Sequence, residues 1–164
     1  MFLNEIKSLI KYVDYIVFFN KDEIANNYAH NCTNKSMNEI YVLRRMMEKL
    51  ENVNFKMFYK LSGRYNLSSN FYESNFNINE PVFKSIYNTW DGKPVVHCVL
   101  YSVPKIYISE FIKIFKVCES VPSFIDIEHE LFKQMTNANI NFQNIEVLGF
   151  EGYLGNGGGM LFTN

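Results

Sequence analysis

The sequence predicts an α/β protein in which a mixed, mainly parallel sheet is flanked by helices. Apolar residues recur at helical spacing over residues 3–13, where the chain opens. Polar and apolar residues alternate over residues 53–61, which is the pattern of a half-buried strand. Residues 95–101 are apolar almost throughout, as in a strand covered on both faces. Helices and strands in this order predict a sheet with helical layers.

The first half of the chain is predicted to contain two helices. A short apolar strand over residues 15–19 follows the first helix, and the polar, asparagine-rich segment 26–35 is predicted to be a loop. The second helix is predicted over residues 36–51, because Ser36 and Glu39 have the spacing of a capping box. Its buried face is predicted to consist of Ile40, Leu43, Met47 and Leu50.

The second half is predicted to begin with a long loop. Residues 66–93 have no lasting period, and Asp91 and Gly92 mark a turn at the end of this segment. One helix is predicted after Pro104 and another after Pro122. Their inward residues are predicted to be Ile108, Phe111, Ile112, Phe115, Ile127, Leu131 and Met135. A final strand is predicted over residues 145–150, before a glycine-rich end.

Composition limits the classes of function. The 164 residues carry a formal net charge of −1, which argues against nucleic acid or acidic membranes as partners. No apolar run approaches the roughly 20 residues that cross a bilayer. The three cysteines share no metal-ligand or redox spacing, and neither His30 nor His129 has a partner at metal spacing. We therefore expect a single soluble domain in the cytoplasm, with no metal site; the oligomeric state stays open.

A cationic segment at the end of the strand over residues 53–61 is the most informative local feature. Lys60, Ser62 and Arg64 fall on one side of the alternation, and Gly63 allows close backbone approach. An ammonium, a hydroxyl and a guanidinium in this position predict a site for a phosphorylated or carboxylated small molecule. In the alternative interpretation the cations are solvated and Gly63 only turns the chain.

Four short motifs resemble a group of glycosyltransferase-like proteins found in bacterial surface-polysaccharide clusters and in large viruses and phages. In chain order they are Asn38-Glu39-Ile40, Phe58-Tyr59-Lys60-Leu61-Ser62-Gly63-Arg64-Tyr65, Asp126-Ile127-Glu128 and Leu148-Gly149-Phe150-Glu151-Gly152. Members of the group carry a closely similar Lys-x-(Ser/Thr)-Gly-Arg-Tyr element. The resemblance implies a GT-A-like domain that transfers a sugar from a nucleotide-diphosphate donor to a glycan or lipid-linked acceptor.

The resemblance also implies roles for individual residues. Lys60 and Arg64 would bind the diphosphate in place of a divalent cation, because this chain has no Asp-x-Asp pair at that point, and metal independence would follow. Gly63 and Tyr65 would complete the substrate site, with Tyr65 stacking on the donor or acceptor or hydrogen-bonding to it. Glu128 would act as the base that activates the acceptor hydroxyl.

Structural explanations and other functions stay open. Asn38 and Glu39 are candidate donor contacts, but the capping box alone explains Glu39, and an acidic first turn explains Glu128. A GT-A fold normally begins with a strand, whereas this chain opens with a predicted helix, which suggests a member shortened at its amino terminus. The alternatives are a non-catalytic nucleotide-sugar or glycan-binding module, an inactive remnant, and a structural or assembly protein. The last leaves the motif at residues 60–65 unexplained.

Overall fold

The computed structural model describes residues 19, 21–31, 35–63, 65–86, 89, 91–121, 126–153 and 160–162. The α-helices in these segments are α1 (Glu23–Asn31), α2 (Lys35–Leu50), α3 (Ile108–Ser120) and α4 (Ile127–Asn137). The strands are β1 (Met57–Leu61), β2 (Tyr65–Leu67), β3 (Val82–Phe83), β4 (Ser85–Ile86), β5 (Val95–Val96), β6 (Leu100–Pro104), β7 (Gln143–Asn144), β8 (Phe150–Tyr153) and β9 (Met160–Phe162). Short 3₁₀ helices cover Glu73–Asn75 and Lys105–Tyr107.

The described strands form three sheets. The largest has the strand order β1-β6-β3-β7, in which β6 is antiparallel to β1 and β3, and β3 is parallel to β7. Two smaller antiparallel sheets are also present. One has the strand order β2-β8-β9, and the other consists of β4 and β5. The mixed α/β class is confirmed, but the prediction of a mainly parallel sheet is wrong. Parallel neighbours usually need a helical crossover, and the described residues between β1 and β6 contain no α-helix.

Each face of the four-stranded sheet carries its own core. Alternation along β1 places Phe58 on the face that packs against the helices and Tyr59 on the opposite face. The helix-side core contains every apolar residue predicted for the inner faces of α2, α3 and α4, with Leu50 partly buried. Those predictions are confirmed. The core on the opposite face consists of Tyr65, Phe76, Val82, Leu100, Leu148 and Phe150.

The segment 26–35 is not the predicted loop, because α1 occupies most of it. The carboxylate of Asp22 accepts hydrogen bonds from the backbone N–H groups of Ile24 and Ala25, at 3.1 and 3.0 Å, and so caps this helix. Only Ala25 of the helix is buried. A helix with so small an apolar face gives no periodic signal, so its asparagines predict a loop.

Three predicted strands and the long loop differ from the structure. The strand predicted over residues 53–61 begins only at Met57, and residues 95–101 are divided between β5 and β6. Of residues 145–150, which are predicted to form a strand, only Phe150 lies in one, at the start of β8. Segment 66–93 contains short strands and a 3₁₀ helix. The predicted first helix, the glycine-rich end and, except for Phe19, the strand over residues 15–19 lie outside the described residues.

None of the described helices combines the length and the apolarity that a membrane span needs.

Candidate functional site

Lys60 lies at the centre of the candidate site, near the end of β1. Its side chain is 7% exposed and faces the helices, because it is paired with Tyr101 across the β1–β6 ladder. Its ammonium donates to the Glu39 carboxylate on α2, to the Ser62 hydroxyl at 2.6 Å and to the Cys98 carbonyl. An ammonium has three N–H donors, so these three partners use all of them. Lys60 is a buried cation that Glu39 neutralises.

Glu39, Lys60 and Gly63 line a single cleft of 410 Å³ between α2 and the end of β1. Its other lining residues are Val42, Leu43, Met46, Phe58, Tyr59, Leu61 and Ser62. A carbon added at the Cα of Gly63 would meet no atom within 4 Å, so the cleft is open there. The fold thus brings together two segments that the sequence places in separate motifs.

Glu128, on the first turn of α4, lies in the same electrostatic neighbourhood. Burial raises the pKa of its carboxyl, the charges of Asp126 and Glu39 raise it further, and the Lys60 ammonium opposes them. The charges of Glu39 and Lys60 thus act on the Glu128 carboxyl, although Glu128 itself does not line the 410 Å³ cleft. A carboxyl with a raised pKa exchanges its proton nearer to neutral pH, which suits a general base or acid.

Cys98 and Tyr101 form the buried wall behind Lys60. The Lys60 Nζ atom lies 6.0 Å from the centroid of the Tyr101 ring. Burial raises the pKa of the Cys98 thiol and of the Tyr101 hydroxyl well above their usual values, so both groups stay neutral. Among the described residues, Glu39 is therefore the carboxylate that pairs directly with the Lys60 ammonium.

The remaining predicted site residues are placed differently. Arg64 lies outside the described residues. Tyr65 begins β2, and its ring packs edge-on against Phe150, with 5.4 Å between centroids, in the core on the opposite face of the sheet. Asn38 precedes Glu39 on α2, and its side-chain oxygen is buried without a hydrogen-bond partner among the described residues. The Asn38 acceptor is thus unpartnered but shielded from solvent, and Asn38 does not line the cleft, whereas the Tyr65 ring is used in packing.

A second polar cluster, made of Asp91, Asp126 and His129, lies beside α4. His129 Nδ1 is 2.7 and 2.8 Å from the two carboxylate oxygens of Asp126, and its Nε2 is 3.3 Å from Asp91 Oδ1. Sequence reasoning missed this cluster. The spacing of Asp126 and His129 at a helix start could have indicated their contact, but Asp91 belongs to a turn far away in the sequence.

The geometry defines an α/β protein with a buried lysine–carboxylate cluster at the end of a sheet strand. Within the described segments, no three His, Cys, Asp or Glu side chains are arranged to hold a metal ion. In comparisons with known proteins, the chain matches no family model, no curated protein and no solved structure.

Proposed function

We propose that the protein is a glycosyltransferase-like enzyme. It binds a nucleotide-diphosphate sugar at the cleft beside Lys60 and transfers the sugar to a glycan or lipid-linked acceptor. The supporting observation is that Glu39 and Lys60, which belong to two separate motifs, pair beside one cleft, and their charges also act on the carboxyl of Glu128, from a third motif. A donor diphosphate and the group that acts at its sugar must be within reach of one ligand, as this clustering allows. A GT-A-like arrangement of the fold belongs to the same proposal.

In this proposal Lys60 and Arg64 offset the charge of the diphosphate. Because all three donors of Lys60 already have partners, one partner must give way when the donor binds. Glu39 is the partner that can leave, since its side chain is 37% exposed and can turn towards water. The freed N–H of Lys60 then donates to a phosphate oxygen, and Arg64 supplies a planar fork to two further oxygens.

Glu128 is the proposed base. It takes the proton of the acceptor hydroxyl while that oxygen bonds to the anomeric carbon of the sugar and the nucleotide diphosphate leaves. The buried setting that raises the pKa of Glu128 suits this role, because a base works best when its pKa is not far below the operating pH. Asn38 stays a candidate donor contact in this proposal, and its buried side-chain oxygen must become accessible to make that contact.

Arg64 is predicted to be the strongest single contributor to donor binding. Arg64→Lys keeps the charge but loses the fork, and Arg64→Ala loses both, so affinity should fall in that order. A hydrogen bond to a charged group contributes about 1.5 to 3 kcal/mol, so the alanine variant should bind about tenfold to a hundredfold more weakly. Calorimetric titration of nucleotide-diphosphate sugars, with and without Mn²⁺ or Mg²⁺, measures the effect and tests metal independence.

Arg45→Ala is the matched control for Arg64. Arg45 is an arginine on α2 that pairs with Glu48 at 2.8 Å and does not line the cleft. Its removal should leave donor affinity unchanged. Equal affinity in wild type and both Arg64 variants would show that Arg64 is a solvated surface charge. If wild type itself bound none of the nucleotide-diphosphate sugars, the proposed function would fail.

A second candidate function is a non-catalytic nucleotide-sugar or glycan-binding module. The observation that favours it is the complete internal hydrogen bonding of Lys60, which is typical of a structural ion pair as much as of a substrate contact. Release of free nucleotide diphosphate in the presence of donor and oligosaccharide acceptor would identify the enzyme. Binding without such release in any donor–acceptor combination would favour the module.

A further inference from the structure

His129 connects two parts of the molecule that are distant in sequence. Its backbone N–H donates to Asp126 Oδ1 at 2.8 Å, which caps α4, and its ring lies between the carboxylates of Asp126 and Asp91. Asp91 is itself fixed by the Thr89 hydroxyl at 2.9 Å and the Lys93 backbone N–H at 3.1 Å. With a carboxylate at each ring nitrogen, both nitrogens donate only when the imidazole is protonated.

The charges around the ring favour that protonated form. Burial lowers the pKa of His129, but hydrogen bonds and charges from Asp126 and Asp91 outweigh it and raise the pKa above its usual 6.5. Desolvation raises the pKa of Asp91, but hydrogen bonds from Lys93, Thr89 and His129 bring it down to about 2. The result is a bridge in which one imidazolium joins two carboxylates, one at each end.

We propose that His129 is a positioning residue that holds Glu128 at its place in the site and releases it when the bridge loses its proton. The role of Glu128 in this statement rests on the proposed function. Glu128 precedes His129 on the first turn of α4, and the bridge ties that turn to the turn containing Asp91. A neutral ring can donate from one nitrogen only, so deprotonation leaves one carboxylate unbonded and uncouples the two turns.

The other charged groups near His129 do not replace the bridge. Lys93 lies 3.9 Å from Asp91 but is 68% exposed, so water and salt screen its attraction. Lys133 is 60% exposed and pairs with Glu130 at 3.6 Å rather than with either aspartate. Lys93, Glu130 and Lys133 line, together with His129, a cleft of 440 Å³ beside α4. Among the described residues, the ring of His129 is thus the group that contacts both Asp126 and Asp91.

Two asparagine variants test whether the bridge exists. Asp126→Asn keeps a side chain that caps a helix as well as aspartate does, but removes the charge, so it separates the bridge from the cap. Asp91→Asn removes the charge on the other side. In an NMR titration of the ring protons, the pKa of His129 should fall in both variants, with the His30 resonance as internal reference. An unchanged pKa of His129 in both variants would overturn the bridge.

The positioning role is tested through Glu128 rather than through a ligand. In His129→Gln, the carboxyl of Glu128 should gain water, and its pKa should fall from its raised value towards the usual 4.5. Carboxyl ¹³C titration measures this shift, and His30→Gln, on the exposed part of α1, should leave it unchanged. If the pKa of Glu128 were the same in His129→Gln and wild type, the positioning role would fail even if donor binds. If it shifts but no nucleotide-diphosphate sugar binds, only the proposed function fails.

The pH dependence gives a second readout with a definite sign. Because the pKa of His129 is raised in the folded protein, the bridge stabilises fully below pH 6.5 and loses its effect as pH rises through the raised value. The difference in melting temperature between wild type and His129→Gln should therefore narrow as pH increases from 6.5 through the raised pKa of His129. A difference that widened or stayed constant would contradict the bridge.

Discussion

Replacing Lys60 by methionine is expected to lower the free energy of unfolding by about 3 kcal/mol. Methionine keeps most of the stem volume but leaves the Glu39 carboxylate and the Cys98 carbonyl without their donor. Removal of one partner from a buried ion pair costs about 3 to 5 kcal/mol. The lower end applies because Glu39 is 37% exposed and can be rehydrated. Urea unfolding followed by circular dichroism measures the loss, which corresponds to a fall in Tm of about 6–12 °C.

Lys133→Met is the control for this effect. Lys133 is also paired with a glutamate, at 3.6 Å, but its side chain is 60% exposed. A surface ion pair contributes little, so this variant should stay within about 0.5 kcal/mol of wild type. Equal losses from the two lysine variants would show that Lys60 behaves as an ordinary surface charge. The double variant with Glu39→Gln should lose less than the sum of the single changes, because the two side chains are partners.

Replacing Gly149 by alanine is expected to cost at least about 3 kcal/mol of stability. Gly149 has φ = 74°, and an added Cβ would lie 2.4 Å from both the N and Cα atoms of Phe71. The obstructing atoms belong to the backbone, which cannot move aside as a flexible side chain can. The backbone on both sides is also held in place, because the Ser68 N–H donates to the Gly149 carbonyl at 2.9 Å. Overpacking destabilises by about 1 to 3 kcal/mol, and a left-handed conformation by about 1 to 2 kcal/mol. The urea midpoint should shift accordingly.

Gly92→Ala separates the two causes. Gly92 has nearly the same conformation, φ = 71°, but nothing lies within 4 Å of an added Cβ. Only the conformational cost applies, so the loss should be about 1 kcal/mol. If both alanine variants lost the same stability, the close approach of Phe71 to Gly149 would not be the reason for glycine at that position.

Local periodicity predicted the parts of the fold that local contacts decide. The inner faces of α2, α3 and α4 follow from apolar residues that recur every three or four positions. Strand direction could not be predicted in this way, because it depends on the connection between β1 and β6 and not on either strand's own residues. The division of residues 95–101 between two sheets is also non-local, since β5 pairs with β4 while β6 pairs with β1.

The sequence could name Glu39 and Lys60 as candidate site residues, but it could not predict their contact with each other. The sequence placed Glu39 and Lys60 in separate motifs and assigned both to the substrate, whereas they bind each other. The acceptor from Cys98 is a backbone carbonyl, which every residue has and no sequence pattern reveals. The glycine of the Leu148–Gly152 motif has a structural explanation as well, because Phe71 leaves no space for a side chain at Gly149.

The pairing of β2 with β8 determines how late in synthesis the smaller sheet can form. Tyr65 is paired with Gly152, so the smaller sheet cannot close until the ribosome has released all of the chain between these two residues. Until then Tyr65, Phe76 and Leu100 lack the cover that Phe150 provides in the finished core. A nascent chain in this state exposes apolar surface until residues 150–152 are free to pair with β2.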